Sequence, residues 1–102
     1  MNGNKGIAEK ELTAMAELFA RIDDPSDFIR LFDDVCTYKE LEQMALRLHC
    51  AYLLKSNTYS QVMSKVKVSS ATLSRVSRCL GHGSGGYAAA LEKYGYKIDD
   101  GE

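Results

Sequence analysis

The sequence predicts an all-α protein of about six helices, and three features of the chain support that class. Apolar residues recur at three- and four-residue spacing in several segments, of which residues 28–35 are the clearest. No segment alternates strictly between apolar and polar residues, and no turn dipeptide joins two apolar runs, so strand signals are absent. Side chains that can cap a helix precede several of the apolar segments. A chain of 102 residues fits one domain, residues 1–102, with a small core.

The first helices are predicted in the N-terminal forty residues. Apolar side chains near helical spacing predict the first helix, and they are Ile7, Leu12, Met15, Phe19 and Ile22. Asp24 is placed to cap a second helix, and Pro25 suits its first position because no helical hydrogen bond needs its amide there. Thr37 and Glu40 form a capping box, in which each side chain accepts a hydrogen bond from the other residue's amide, and a long helix follows to about Lys55.

The long helix is apolar on more than one side. Its apolar residues are Leu41, Met44, Ala45, Leu46, Leu48, Cys50, Tyr52, Leu53 and Leu54. A helix that is apolar on most sides needs packing partners on most sides. Six short helices offer little cover, so we expect a second copy of the chain to supply part of it in a homodimer.

Two shorter helices are predicted next, within residues 58–80. Thr58 and Gln61 form a second capping box, and Ser69 is placed to cap the following helix. The spacing of Leu73, Val76 and Leu80 predicts the buried side of that helix. Two short helices joined by a tight turn form a helix-turn-helix, whose second helix can enter the major groove of DNA.

The glycine-rich run at residues 81–86 spells G-x-G-x-x-G, a pattern that also occurs in dinucleotide-binding loops. Such a loop requires a strand before it in a βαβ unit, and no strand is predicted here. We therefore interpret the glycines as breaks between helices. Gly81 is expected to end one helix, Ser84 to cap the last helix, and Gly95 to end it.

Charge is unevenly distributed although the formal net charge is only −1. No acidic residue lies between Glu42 and Glu92. The acid-free interval contains Arg47, Lys55, Lys65, Lys67, Arg75 and Arg78. A local basic stretch on a near-neutral protein is typical of a surface that binds an anionic partner, and a random segregation of charge is the alternative.

The predicted helix-turn-helix carries residue types that suit duplex DNA. Small hydroxyl side chains can approach base edges or phosphates, and cationic side chains can pair with phosphates. The candidates by residue type are Lys65, Lys67, Ser69, Ser70, Thr72, Ser74, Arg75 and Arg78. The pattern therefore predicts duplex DNA as a partner, and the alternative is an ordinary helical hairpin with a solvated serine face.

Other classes of function find little support in the sequence. Cys36, Cys50 and Cys79 are odd in number and far apart, which is typical of free thiols in a cytoplasmic protein. Neither His49 nor His82 has a second ligand at metal spacing. No apolar run approaches the roughly 20 residues that cross a membrane, and the N-terminus lacks the apolar region of a secretory signal. We expect a cytoplasmic protein without catalytic residues, metal, cofactor or membrane contact.

The helix-turn-helix resembles that of the Trp repressor family. The resemblance is carried by Y-S-x-x-x-x-K from Tyr59 to Lys65 and by ATLSRVSRCLxxGxxGY from Ala71 to Tyr87. It covers about residues 37–94, and it is closer still to the Trp-repressor-like YerC/YecD subfamily. It implies an all-helical chain intertwined with a second copy into a two-fold dimer. It also implies a sequence-specific transcriptional regulator, with repression as the expected mode.

The resemblance implies roles for individual residues. The residues that match the family's base contacts are Ser69, Ser70, Ala71 and Ser74. Tyr59 and Ser60 match positions near the DNA backbone. The residues that match the family's co-repressor pocket are Arg47, Thr72 and Arg75, with Val76 beside them.

The sequence departs from the family pattern at two positions. Val76 stands where the Trp repressors have the glycine that makes room for the indole, so we expect that tryptophan is not the effector. Arg75 then either binds the carboxylate or phosphate of another small ligand or contacts the DNA backbone. Lys67 stands where the family turn has glycine, which predicts a different backbone there. The alternative function is a dimeric helical adaptor that binds another protein without binding DNA.

Overall fold

The computed structural model describes residues 6–98, and the side chains from residue 8 onward, and these residues form six α-helices. The helices are α1 (Gly6–Arg21), α2 (Pro25–Val35), α3 (Tyr38–Leu53), α4 (Tyr59–Lys65), α5 (Ser70–His82) and α6 (Gly86–Tyr94). No strand occurs within the described residues, so the all-α prediction is confirmed. None of these helices combines the length and the hydropathy that a membrane span requires. The described residues divide into two compact units, one that extends to Leu41 and one that begins at Glu42.

In the first unit, α2 begins as the sequence predicts. Asp24 caps the helix, since its carboxylate accepts a hydrogen bond from the Ser26 amide at 2.9 Å, and Pro25 is the first helical residue. The helix ends where the amide of Cys36 donates to the Phe32 carbonyl at 2.9 Å. The predicted capping box at the start of α3 is also present, with both hydrogen bonds between Thr37 and its partner three residues later.

The first unit has only a small core of its own. Phe19, Phe28 and Phe32 pack together with ring centroids 4.4–5.6 Å apart, and Phe32 is buried. The large apolar side chains of α1 and α2 that stay 39–61% exposed are Leu12, Met15, Leu18, Ile29 and Val35. Part of the predicted apolar stripes of these helices is therefore uncovered in a single chain.

The second unit has one hydrophobic core to which α3, α4, α5 and α6 all contribute. Its buried residues are Cys50, Ala51, Val62, Leu73, Val76 and Leu91. Burial raises the pKa of the Cys50 thiol because the charged thiolate would lose its hydration there. The core fixes α4 and α5 against α3, and it thereby determines which side of each helix faces solvent.

The chain after α6 returns to α3 through an aromatic contact. Gly95 ends α6 with a left-handed φ of 80°, as the sequence predicts for a glycine at this place. Tyr96 then packs on Tyr52 with centroids 4.7 Å apart, and its hydroxyl lies 3.1 Å from Nδ1 of His49. Burial, followed by the nearby Tyr52 and Cys50, raises the pKa of the Tyr96 phenol.

The glycine-rich run differs from its predicted details. Gly81 lies inside α5 and does not end it, and the helix ends at Gly83, whose amide donates to the Cys79 carbonyl at 2.8 Å. A Cβ at Gly83 would lie 2.5 Å from that carbonyl oxygen, so close approach of the backbone requires glycine here and not at Gly81. The prediction that Ser84 caps α6 was also wrong: Gly85, at a φ of 86°, occupies the cap position.

Candidate nucleic-acid interface

The first helix of the helix-turn-helix, α4, is held by its N-terminal cap and by one buried residue. The Thr58 hydroxyl accepts from the Gln61 amide at 3.2 Å, and the Gln61 side chain accepts from the Thr58 amide at 2.8 Å. The predicted capping box is thus confirmed. Val62 is fully buried in the core of the second unit. These contacts leave Tyr59 and Ser60 exposed at the start of the helix.

Residues 66–69 connect the two helices in a turn that is anchored on both sides of Lys67. Val66 and Val68 are half-buried and pack against the core, while Lys67 itself is exposed. Among the described residues only glycines have positive φ, so Lys67 does not adopt the left-handed conformation. The turn therefore differs from a turn that requires glycine at this position.

The second helix, α5, begins at a well-defined cap and presents a clear division between buried and exposed sides. The Ser69 hydroxyl accepts from the Thr72 amide at 3.1 Å. Leu73 and Val76 are 0% and 1% exposed and fix the inner side of the helix. The helix extends two residues beyond the predicted end of the motif at residue 80.

The exposed side of α5 forms a stripe at helical spacing. It consists of Ala71, Ser74, Arg75 and Arg78, at positions i, i+3, i+4 and i+7. We call these four residues the α5 stripe. Because Leu73 and Val76 fix the opposite side, the stripe projects away from the core and into solvent. The stripe brings small side chains, which permit close approach, next to two guanidinium groups.

The structure places the predicted DNA-contacting residues on the surface of α4, the turn or α5, except Thr72, which is half-buried. The exposed residues of this set are Tyr59, Ser60, Lys65, Lys67, Ser69, Ser70, Ala71, Ser74, Arg75 and Arg78. A large apolar side chain on this surface was not predicted: Met63 is 41% exposed and lies one turn after Tyr59, which is 39% exposed. The i, i+4 spacing of two large side chains on the outer side of α4 is the sequence signal that would have identified Met63.

Among the described residues, the basic residues of the acid-free interval form no ion pair. Within residues 6–98 the structure contains one salt bridge, between Arg30 and Asp27 at 3.7 Å on α2. The cationic groups of α3, α4, the turn and α5 are therefore not neutralised by carboxylates of the described chain. The positive electrostatic potential of these groups can therefore attract an external anion.

The four residues matched to the family's co-repressor pocket do not share one kind of environment. Val76 is 1% exposed and belongs to the core, whereas Arg47 and Thr72 are half-buried and Arg75 is exposed. A cavity of about 340 Å³ in the same unit is lined by Leu48, Cys79, residues 83–87 and Ala90. None of the four matched residues lines that cavity.

Metal-ligating side chains do not gather at this surface. In the described part of the chain, no three His, Cys, Asp or Glu residues come together as a set of metal ligands. Cys36, Cys50 and Cys79 are free thiols. The chemistry that the interface offers is hydrogen bonding by hydroxyl groups, pairing of cations with anions and apolar contact.

Two capped helices joined through residues 66–69, the second with a polar and basic outer side, define a helix-turn-helix protein. Residues 10–94 match the family described as Trp repressor protein, and the chain belongs to this family. It is similar to the uncharacterized protein YerC of Bacillus subtilis (strain 168), with 38% identity over 85 residues and 82% of each chain covered. A crystal structure of a candidate Trp repressor from Staphylococcus aureus superimposes with a TM-score of 0.79 at 26% identity and covers 88% of this chain and 91% of its own.

Proposed function

We propose that this protein is a sequence-specific DNA-binding transcriptional regulator that acts as a homodimer, with α5 as the recognition helix. The observation that carries the proposal is the α5 stripe: small residues and two arginines project from a helix whose other side is fixed in the core. Membership of the Trp repressor family supports the same function. The regulator meets its DNA in the cytoplasm and carries out no covalent chemistry.

Base selection and phosphate binding fall to different residues of the interface. Ser70 and Ser74 offer hydroxyl groups to base edges, and Ala71 suits the 5-methyl group of thymine. Arg78 and Lys65 pair with phosphates and set the position of the protein on the duplex. Repression then follows from occupancy of the operator, because bound protein excludes other proteins from the same stretch of DNA.

The proposed dimer rests on apolar surface in both units. In the first unit, large apolar side chains of α1 and α2 remain 39–61% exposed, because the small aromatic core does not cover them. In the second unit, Met44 on α3 is 39% exposed although it lies on a helix that also contributes to the core. A second copy would cover such surfaces and place two recognition helices about a two-fold axis. The operator would then contain two symmetric half-sites, about one helical turn of DNA apart or a multiple of that distance.

Arg75 is proposed to contact the DNA backbone without a small-molecule effector. Val76, the next residue along α5, packs in the core and anchors the helix, so the helix does not require a ligand for its position. Arg75 itself is exposed on the α5 stripe, where a phosphate can reach it. Tryptophan is accordingly not expected to change operator affinity.

The direct test begins with selection of bound sequences from a random duplex pool. A two-fold symmetric consensus is the expected result, and operator duplexes built from it serve for titrations at several salt concentrations. Arg78→Ala should weaken binding to all duplexes and lower the slope of log affinity against log salt by about one. Ser70→Ala or Ser74→Ala should instead change the preferred bases.

Arg30→Ala is the matched control, because this arginine side chain is 84% exposed but lies on α2 in the other unit. It should leave the affinity and the salt slope unchanged. If the selection enriches no sequence and Arg78→Ala has no effect on duplex binding, the DNA-binding function is wrong. The adaptor function, in which the same surface binds a protein, would then be the remaining hypothesis.

A further inference from the structure

The first turn of α5 contains a pair of hydroxyl groups that bond to each other. The Ser69 hydroxyl donates to Oγ1 of Thr72 at 3.0 Å, and the same Ser69 oxygen accepts from the Thr72 amide at 3.1 Å. The donor of Ser69 and one of its acceptor sites are thus used inside the protein. A third residue is tied into this turn, since the Leu73 amide donates to the Ser69 carbonyl at 3.0 Å.

We propose that Ser69 and Thr72 are positioning residues, which hold the start of the recognition helix while Ser70, Ala71 and Ser74 read the bases. This inference rests on the proposed function. In this proposal Thr72 positions the helix and does not bind an effector. Ser69 likewise positions the helix and does not contact the bases, unlike the other small residues at the start of α5.

The geometry favours this division of roles. Ser69 is the last residue of the connecting turn and has extended backbone angles, with φ −74° and ψ 153°, so its hydroxyl bonds fix the angle at which the helix leaves the turn. Ser70 and Ala71 lie between the two bonded residues, and both are exposed. Their direction therefore depends on the hydroxyl pair, whereas Thr72 is half-buried and does not belong to the α5 stripe.

Phosphate binding should depend less on the hydroxyl pair of Ser69 and Thr72 than the contacts with the bases do. Arg78 lies near the end of α5 and Lys65 at the end of α4, so neither belongs to the first turn. Loss of the Thr72 hydroxyl should then reduce affinity for the selected operator and leave the affinity for an unrelated duplex unchanged. A general loss of stability would not produce this difference between specific and non-specific binding.

The test compares Thr72→Val, which keeps the β-branched shape but removes the hydroxyl, with Thr72→Ser, which restores the hydroxyl. Thr72→Val should weaken operator binding about two- to tenfold, the effect of one lost hydrogen bond, with the preferred bases unchanged. Thr72→Ser should bind as the unmodified protein does. Asp24→Ala, which removes the cap of α2 in the other unit, is the control for lost stability and should not change operator affinity.

Amide hydrogen exchange provides a readout that does not depend on DNA. Exchange at the amides of residues 72 and 73 should be faster in Thr72→Val and unchanged in Thr72→Ser. Unaltered exchange in Thr72→Val, or a changed base preference in that variant, would overturn the positioning role. Absence of duplex binding by the unmodified protein would instead reject the proposed function, and the exchange measurement would still decide whether the pair holds the turn.

Discussion

Replacement of Val76 by glycine should show how much this buried residue of α5 contributes to stability. Val76 is 1% exposed and packs in the core of the second unit. The change removes three carbon atoms from the core, which costs about 2.4 kcal/mol at roughly 0.8 kcal/mol for each buried methylene-sized group. Glycine inside a helix adds about 0.4 kcal/mol relative to valine. We therefore expect Val76→Gly to lower the free energy of unfolding by about 3 kcal/mol.

The assay is denaturant unfolding followed by circular dichroism, with all variants at one protein concentration because unfolding is expected to be coupled to dissociation. Ala71→Gly in the same helix is the matched control. Because Ala71 is exposed, this variant measures only the cost of glycine relative to alanine in a helix, about 0.5–1 kcal/mol, with no loss of core packing. Val76→Ala should lie between the two. A loss for Val76→Gly no greater than that for Ala71→Gly would refute the assignment of Val76 to the core.

Four further predictions concern assembly, effector, capping and pH. The melting temperature should rise with protein concentration, and a folded monomer at micromolar concentration in sedimentation would contradict the dimer. Calorimetry with millimolar L-tryptophan should show no binding, and tight binding together with tighter operator binding would refute the effector prediction. Thr58→Ala should cost about 1 kcal/mol in denaturant unfolding through loss of the cap of α4, and an unchanged midpoint would contradict this. Because folding raises the pKa of Tyr96, the stability that this residue contributes should be fully present and independent of pH near neutrality and should be lost as the pH rises above about 10, whereas in Tyr96→Phe this part of the alkaline loss should be absent.

The sequence by itself determined most of the helices and how they begin. Asp24, Thr37, Thr58 and Ser69 were recognised as caps because a cap is a local interaction between a side chain and amides two or three residues away. The all-α class followed from periodicity for a similar reason, since the spacing of apolar residues reports directly on helical geometry. The sequence alone also shows the residue types of the helix-turn-helix and their resemblance to the Trp repressor family.

Only the tertiary structure decided which residues of α5 project from the core, and only the backbone conformation showed where α5 ends. Gly81 and Gly83 are equivalent as local helix breakers, and the contact of the backbone at Gly83 with the Cys79 carbonyl distinguishes them. The α5 stripe likewise depends on the burial of Leu73 and Val76, which requires α3, α4 and α6 around them. Burial is a property of packed elements far apart in the chain, so no local pattern specifies it completely.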